Sequence, residues 1–337
     1  GLKETNTGSV DYGYLYETRW PVLRKAYEKK NLFENEFIVF KLKNQSWLEE
    51  YALYMSVKKH FGMKSWIDWP DSEIRLRDAK AVEKYKKLLK EDIHFYSFVQ
   101  FLFFRQFDAL KSYAHSKKIR LIGDLPIYVP LDSCDVWANP SQFELDRENL
   151  PTGVAGVPPD YFTPDGQLWG NPLYNWKKMK EDQYTWWMKR VEATSRYFDI
   201  VRIDHFRGFE SYWEVPYGDK TARNGVWKKG AGMDFISVLK QKFPDVEFIA
   251  EDLGYHTPEV QKLLDDSGFP GMKVLQFGFD AREASDHAPH SYVRNSICYV
   301  GTHDNSTVMG WKNSVAQNDM KFAMEYLNIS EEEEFNW

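Results

Sequence analysis

Through the first 118 residues apolar positions recur at spacings of three and four, inside long charged runs such as "DAKAVEKYKKLLKEDIHFYSFVQFLFFRQFDALKSYAHSKK". That period collects the apolar side chains on one face, so the segment predicts amphipathic helices. "WLEEYALYMSVKKHFG" and "KSWIDWP" suggest a small helical subdomain with exposed aromatics. The single strand-like run there is "FIVF" at 37–40, which periodicity leaves ambiguous.

From residue 119 the pattern changes to short apolar runs of strand length: "IRLIGDLPIYV", "FDIVRID", "VEFIAEDLG", "MKVLQFGFD" and "ICYVGTHDN". Between them lie helix candidates, "DQYTWWMKRVEATSRY", "MDFISVLKQKF" and "TPEVQKLLDDSG". The last has a capping threonine at 257, Pro258 at the first helical position, Glu259 in the first turn and Gly268 beyond the end. Strand–helix alternation predicts an α/β fold of parallel strands with crossover helices. Residues 138–176, rich in Pro, Gly, Asn and aromatics, have no period and read as one long substrate loop.

Acids fall at or near the C-terminal ends of four of these runs, as Asp124, Asp204, Glu251 and Asp304, and Asp280 stands just past the apolar part of the remaining one, "MKVLQFGFD". Repetition at that place is characteristic of a (β/α)8 TIM barrel, and a doubly wound open sheet is the alternative. The second is weakened because no strand is followed by a glycine-rich phosphate loop. In "FDIVRIDHFRGF" (198–209), Arg202 and Asp204 are two apart and so share a strand face, opposite Val201 and Ile203. Taken alone, that pair reads as a structural ion pair; His205 alternates away from it.

Composition narrows the chemistry. A formal charge of −6, from 44 basic and 50 acidic residues, argues against a nucleic-acid binder. No apolar run approaches the roughly 18 residues of a membrane span. Two cysteines, Cys134 and Cys298, make neither a disulfide framework nor a zinc cluster, and a reduced cytoplasmic setting is the default. Aromatics make 17% of the 337 residues, a composition suited to sugar rings as well as to a core. His287 and His290, three apart with a proline between, make a poor chelating helix, so no metal is expected. Converging acids then point to carboxylate acid/base work on a glycosidic bond. An acid beside Arg202 stays ionised, whereas Glu251, after apolar neighbours, is raised and can donate.

"VRIDHFRGF", "FIAEDLG" and "YVGTHDN", in that order, resemble the catalytic strand ends of the clan containing α-amylases. "GDLPIYVPLDSCDVWANP" and "GVPPDYFTPDGQLWGNPLYNW" are more specific and resemble the 4-α-glucanotransferases, or amylomaltases, of glycoside hydrolase family 77. The resemblance, from about residue 93 to 312, implies a TIM barrel and retaining transfer of α-1,4-glucan segments between maltooligosaccharides or starch and glycogen chains, without a cofactor. It implies Asp204 as nucleophile, Glu251 as general acid and base, and Asp304 as the group that distorts the sugar. Arg202 would hold the nucleophile, His303 and Asp124 the sugar in the cleavage subsite, and Asp280 a neighbouring subsite. Tyr161, Phe162, Gln167, Trp169 and Asn171 would line the acceptor path. Residues 1–92 would be the helical insertion near the second barrel unit and 93–337 part of the barrel, incomplete because five strands are legible where eight are needed. An α-glucan hydrolase and an inactive glucan-binding fragment are the competing readings; a bacterial cytoplasm is the expected location, with a plastid as the alternative. Oligomeric state is not legible.

Overall fold

Each of the five apolar runs after residue 119 coincides with one four-residue strand, the last two strands starting one residue before the run, because a run that short closes one stretch of ladder before its turn residues begin. The structure, a computed structural model, describes residues 9–160, 163–254, 257–282 and 285–329. In chain order the elements are α1 (Tyr12–Tyr27), α2 (Glu34–His60), α3 (Ser72–Arg75), α4 (Ala79–Leu88), α5 (Lys90–Ser116), β1 (Ile122–Leu125), α6 (Cys134–Ala138), β2 (Gly153–Val157), β3 (Gln167–Pro172), α7 (Trp176–Glu181), α8 (Thr185–Tyr197) and β4 (Ile200–Ile203). They continue with β5 (Ser211–Pro216), β6 (Val226–Lys229), α9 (Gly232–Lys242), β7 (Glu247–Ala250), α10 (Pro258–Ser267), β8 (Gly271–Val274), β9 (Ser296–Tyr299), α11 (Val308–Ser314) and α12 (Gln317–Leu327). No helix among the described residues is long and apolar enough to cross a membrane.

The chain divides into two compact units. One comprises residues 1–119, 128–178 and 215–224. Its centre is aromatic: Tyr27, Phe37, Phe95, Phe98 and Phe101 are buried together where α2 and α5 pack. The ambiguous run "FIVF" lies inside α2. Phe37 is 3% exposed while Ile38 and Val39 are 44% and 49% exposed. Burial of one residue followed by exposure of the next two is helical, since a strand would bury 37 and 39 together. Asp132 ties the segment after β1 to these helices, accepting from Tyr54 Oη (2.6 Å), the Trp66 N–H (3.2 Å) and Lys58. The segment read as a patternless loop contains an antiparallel pair, β2 with β3, in the register Val157↔Gln167 and Gly156↔Leu168. A shift of register between Val154 and Gly156 breaks the alternation that would have announced these strands.

The second unit comprises residues 120–127, 179–214 and 225–337. Strands β1, β4 and β7 form a parallel sheet in that order, and β8 pairs in parallel with β9. The Ala250 N–H donates to the Pro270 carbonyl (2.9 Å), and the Met272 N–H to Asp252 Oδ1 (2.7 Å), which fastens β8 to the end of β7. Within this unit the parallel strands succeed one another in chain order. Val201 and Ile203 are 0% and 1% exposed on the apolar face of β4, as the alternation requires. In the same unit Trp187, Phe209 and Phe235 interlock, the two phenylalanine rings stacked at 4.7 Å. Helix α10 starts and stops where the sequence predicts: Thr257 Oγ1 accepts the Val260 N–H, and Gly268 takes the left-handed conformation at φ 70°.

Candidate active site

Parallel register sets Asp124 directly beside Arg202, and Arg202 beside Ile249. Residues in register on adjacent strands point to the same face, so the acid and the guanidinium meet without further help from loops. Arg202 Nη1 donates to Asp124 Oδ1 (2.6 Å) and to Asp204 Oδ1 (3.2 Å), and Nη2 lies 4.0 Å from Asp304 Oδ2. Its Nε faces Met272 Sδ at 3.3 Å. The Arg202 side chain is only 8% exposed, whereas Asp124 and Asp204 are each 34% exposed. One buried cation thus hydrogen-bonds the carboxylates at the ends of β1 and β4 and faces that of the loop after β9. His303 Nε2 lies 3.6 Å from Asp124 Oδ2 and 3.5 Å from Asp304 Oδ1, closing the ring.

The charge balance at Asp204 differs from the sequence expectation of an acid kept low by its arginine. Burial raises its carboxyl above the ordinary aspartate value; Arg202 pulls it down, and the neighbouring Asp124 and Asp304 charges push it up again. A single guanidinium shared among three acids does not outweigh burial.

Glu251 follows β7 immediately and has a different surrounding. It is 7% exposed, and burial lifts its carboxyl to about 7. Two main-chain donors work against that rise: the His205 N–H to Oε2 and the Leu253 N–H to Oε1, both at 2.7 Å. His205 reaches Glu251 because its backbone is left-handed, at φ 47°, directly after β4. The Phe206 N–H donates to the Glu251 carbonyl (2.9 Å), so the two strand ends are laced together. Burial, and after it the Arg207 charge, lower the His205 imidazole to about 4.

The loop carrying His303 and Asp304 is shaped by Asn305, whose Oδ1 accepts from both the N–H and the Oγ1 of Thr302 at 2.9 Å. Gln276 braces it from outside, donating Nε2 to the Ser306 carbonyl (2.9 Å). Asp280 is not part of the ring of acids. Its carboxylate closes on Arg282, with Oδ1 at 2.8 Å from Nε and Oδ2 at 2.6 Å from Nη2, which lowers it to about 2. Gln167, Trp169 and Asn171 lie on β3 of the other unit. Trp169 donates its indole N–H to Gln167 Oε1 (3.1 Å), and Asn171 donates to the Val129 carbonyl (3.0 Å), a contact that braces the hairpin. Tyr161 and Phe162 lie outside the described residues.

Sequence reasoning passed over Asp252, Met272, Gln276 and the main chain of His205. Asp252 could have been noticed as the second acid of "FIAEDLG", but its partner, the amide of Met272, is visible only once β7 and β8 are adjacent.

The fold and the site together define an α/β protein that presents carboxyls of unequal protonation around a buried arginine at the C-terminal ends of parallel strands. Comparison with known proteins makes the class specific. A family model described as 4-alpha-glucanotransferase, glycoside hydrolase family 77, matches residues 1–337. The chain is 45% identical to the 4-alpha-glucanotransferase of Clostridium butyricum over 335 residues, covering 98% of this chain and 69% of that one. It is 45% identical to that of Thermus thermophilus over 342 residues, covering 98% and 68%. Among solved structures it is similar to the amylomaltase from Streptococcus agalactiae in complex with acarbose, with a TM-score of 0.93 and 39% identity, covering 98% of this chain and 68% of that one. The chain belongs to glycoside hydrolase family 77, the 4-α-glucanotransferases, and spans about two thirds of the length of these relatives.

Proposed function

We propose that this chain carries the catalytic centre of a retaining 4-α-glucanotransferase that moves α-1,4-glucan segments between maltooligosaccharides. The observation that carries the mechanism is the unequal setting of its two central acids: Asp204 in contact with a buried guanidinium, Glu251 without a cationic hydrogen-bond partner among the described residues and raised to about 7. Near neutral pH the first is the better anion and the second the better proton donor, the division of labour that a double displacement requires. In the first step Asp204 attacks the anomeric carbon while Glu251 gives its proton to the departing glycosidic oxygen. A β-glucosyl ester on Asp204 and a free shorter sugar result. In the second step an acceptor sugar hydroxyl gives its proton to Glu251 and attacks the anomeric carbon, releasing Asp204. Asp304 and His303 bind ring hydroxyls beside the reacting carbon, and Asp124 orients Arg202. Gln167, Trp169 and Asn171 on β3 shape the acceptor path, Asp280 reaches a neighbouring subsite through its pair with Arg282, and no cofactor takes part.

The same reading takes the five parallel strands in chain order as members of a (β/α)8 barrel, because a doubly wound sheet reverses its order at a switch point. The helices of residues 1–92 are then an insertion on that barrel. Two free thiols, Cys134 and the exposed Cys298, fit a reducing cytoplasm.

The test is the product ladder from maltotriose. Glucose together with chains longer than three units supports transfer. Shorter sugars alone would make the chain a hydrolase, and sugar binding without turnover would make it a glucan-binding fragment; either result overturns the proposal.

A further inference from the structure

Arg207 and the arm that follows it have no part in the chemistry above. Asp204 at the end of β4 is followed by a short 3-10 turn, Phe206–Phe209, and then by β5, which pairs antiparallel with β6. The segment therefore leaves the same strand end that delivers Asp204 and returns only at α9. Lys229 closes its base onto Glu210, and the Gly230 N–H donates to the Glu210 carbonyl (2.8 Å).

On this arm Trp213 and Trp227 stand directly opposite each other in the ladder, with ring centroids 5.2 Å apart and planes at 68°. Trp227 is 42% exposed; among the described tryptophans only it and Trp169 are more than a third exposed. The ring is nevertheless fixed. The Arg207 guanidinium, in a residue 5% exposed, lies 4.1 Å from its centroid, and Arg207 Nη2 donates to Ser211 Oγ (3.2 Å). A buried cation, itself anchored, is thus placed against an indole that remains open to solvent. Leaving a large apolar ring exposed has a free-energy cost, and propping it from behind removes its freedom to fold away. A rigid, solvent-facing indole with charged and hydrogen-bonding neighbours suits a flat apolar face edged by polar groups, as a pyranose ring is.

We propose that Trp227, propped by Arg207 and flanked by Trp213, is a further glucan-binding position on the catalytic side, engaging an α-1,4-glucan chain that extends beyond the cleavage site. The inference rests on the reading of this chain as a glucan-handling protein. It gives the buried Arg207 a role, that of supporting the sugar platform.

Two measurements separate the platform from the chemistry. The first needs no turnover: the indole N–H resonance of Trp227, assigned from W227F, is followed while maltoheptaose is added to the full chain. A saturable shift with maltoheptaose, weaker with maltose, is expected; a resonance that stays still while maltoheptaose moves other signals overturns the proposal. The second uses transfer rates. In W227A the ratio of kcat/KM for maltoheptaose to that for maltotriose should fall about fivefold to tenfold, the size of one lost aromatic stacking contact. W227F, which keeps a flat ring, should hold the ratio within about twofold. Equal losses on both sugars in W227A would assign the ring a purely structural role and overturn the proposal. If the chain turns over no sugar, the transferase reading fails, and the resonance titration still decides whether Trp227 binds glucan.

Discussion

At Glu251 two effects oppose each other and burial prevails: burial raises the carboxyl, and two main-chain N–H groups at 2.7 Å, which favour its anion, offset only part of that rise. Because the folded value is about 7, above the ordinary glutamate range, the folded state holds a proton that the unfolded chain has already lost between about pH 4.5 and 7. Unfolding in that window releases a proton, so stability falls as pH rises through it. Urea denaturation should show the native chain losing about 2 to 3 kcal/mol more than E251Q between pH 5 and pH 8. Parallel losses in the two proteins would mean that Glu251 titrates as an ordinary surface acid. The acids at 204 and 251 were legible because acids recur at the ends of several apolar runs in this chain, and Arg202 because it shares a strand face with Asp204. The protonation order of Asp204 and Glu251 was legible only in outline. Sequence places Arg202 beside Asp204, but the sharing of that one cation with Asp124 comes from strand adjacency and with Asp304 from the path of the loop after β9.

At the scale of elements, the join between β7 and β8 leaves no room for a side chain at Gly271. A Cβ on Gly271 would stand 2.6 Å from Asp252 Oδ2, and Asp252 is 5% exposed with its Oδ1 holding the Met272 N–H. An added methyl must displace a buried carboxylate from its donor or part the strands. G271A should lower the unfolding free energy by about 2 kcal/mol, read from the urea midpoint at constant m-value, and should reduce transfer because Glu251 is the adjacent residue. An unchanged midpoint would show that the junction is slack. Elements with strong local signals were legible, as at α10, where the threonine cap, the first-turn proline and the terminal glycine act within a single turn. The β2–β3 and β5–β6 pairs were not, because a register shift interrupts the first and because all four residues of β6 are exposed, so neither presents the alternation of one buried face.

Over the whole molecule the two acids set the working pH. The rate constant kcat/KM should be bell-shaped, with an alkaline limb near pH 7 from loss of the Glu251 proton and an acid limb above the ordinary aspartate range from protonation of Asp204. A profile flat from pH 6 to 9 would remove Glu251 as the proton donor. The class of fold, the helical texture of the first 118 residues, the five strand positions and the identities of the acids could all be argued from the sequence. These depend on period, on strand length and on which residue ends each run, properties carried by neighbouring positions along the chain. The ring around Arg202, the left-handed His205 that reaches Glu251, the Asp280–Arg282 pair and the propped indole of Trp227 were decided only by tertiary structure. Each depends on a distance between atoms, and only folding fixes which side chains stand close enough to share a proton, a cation or a ring face.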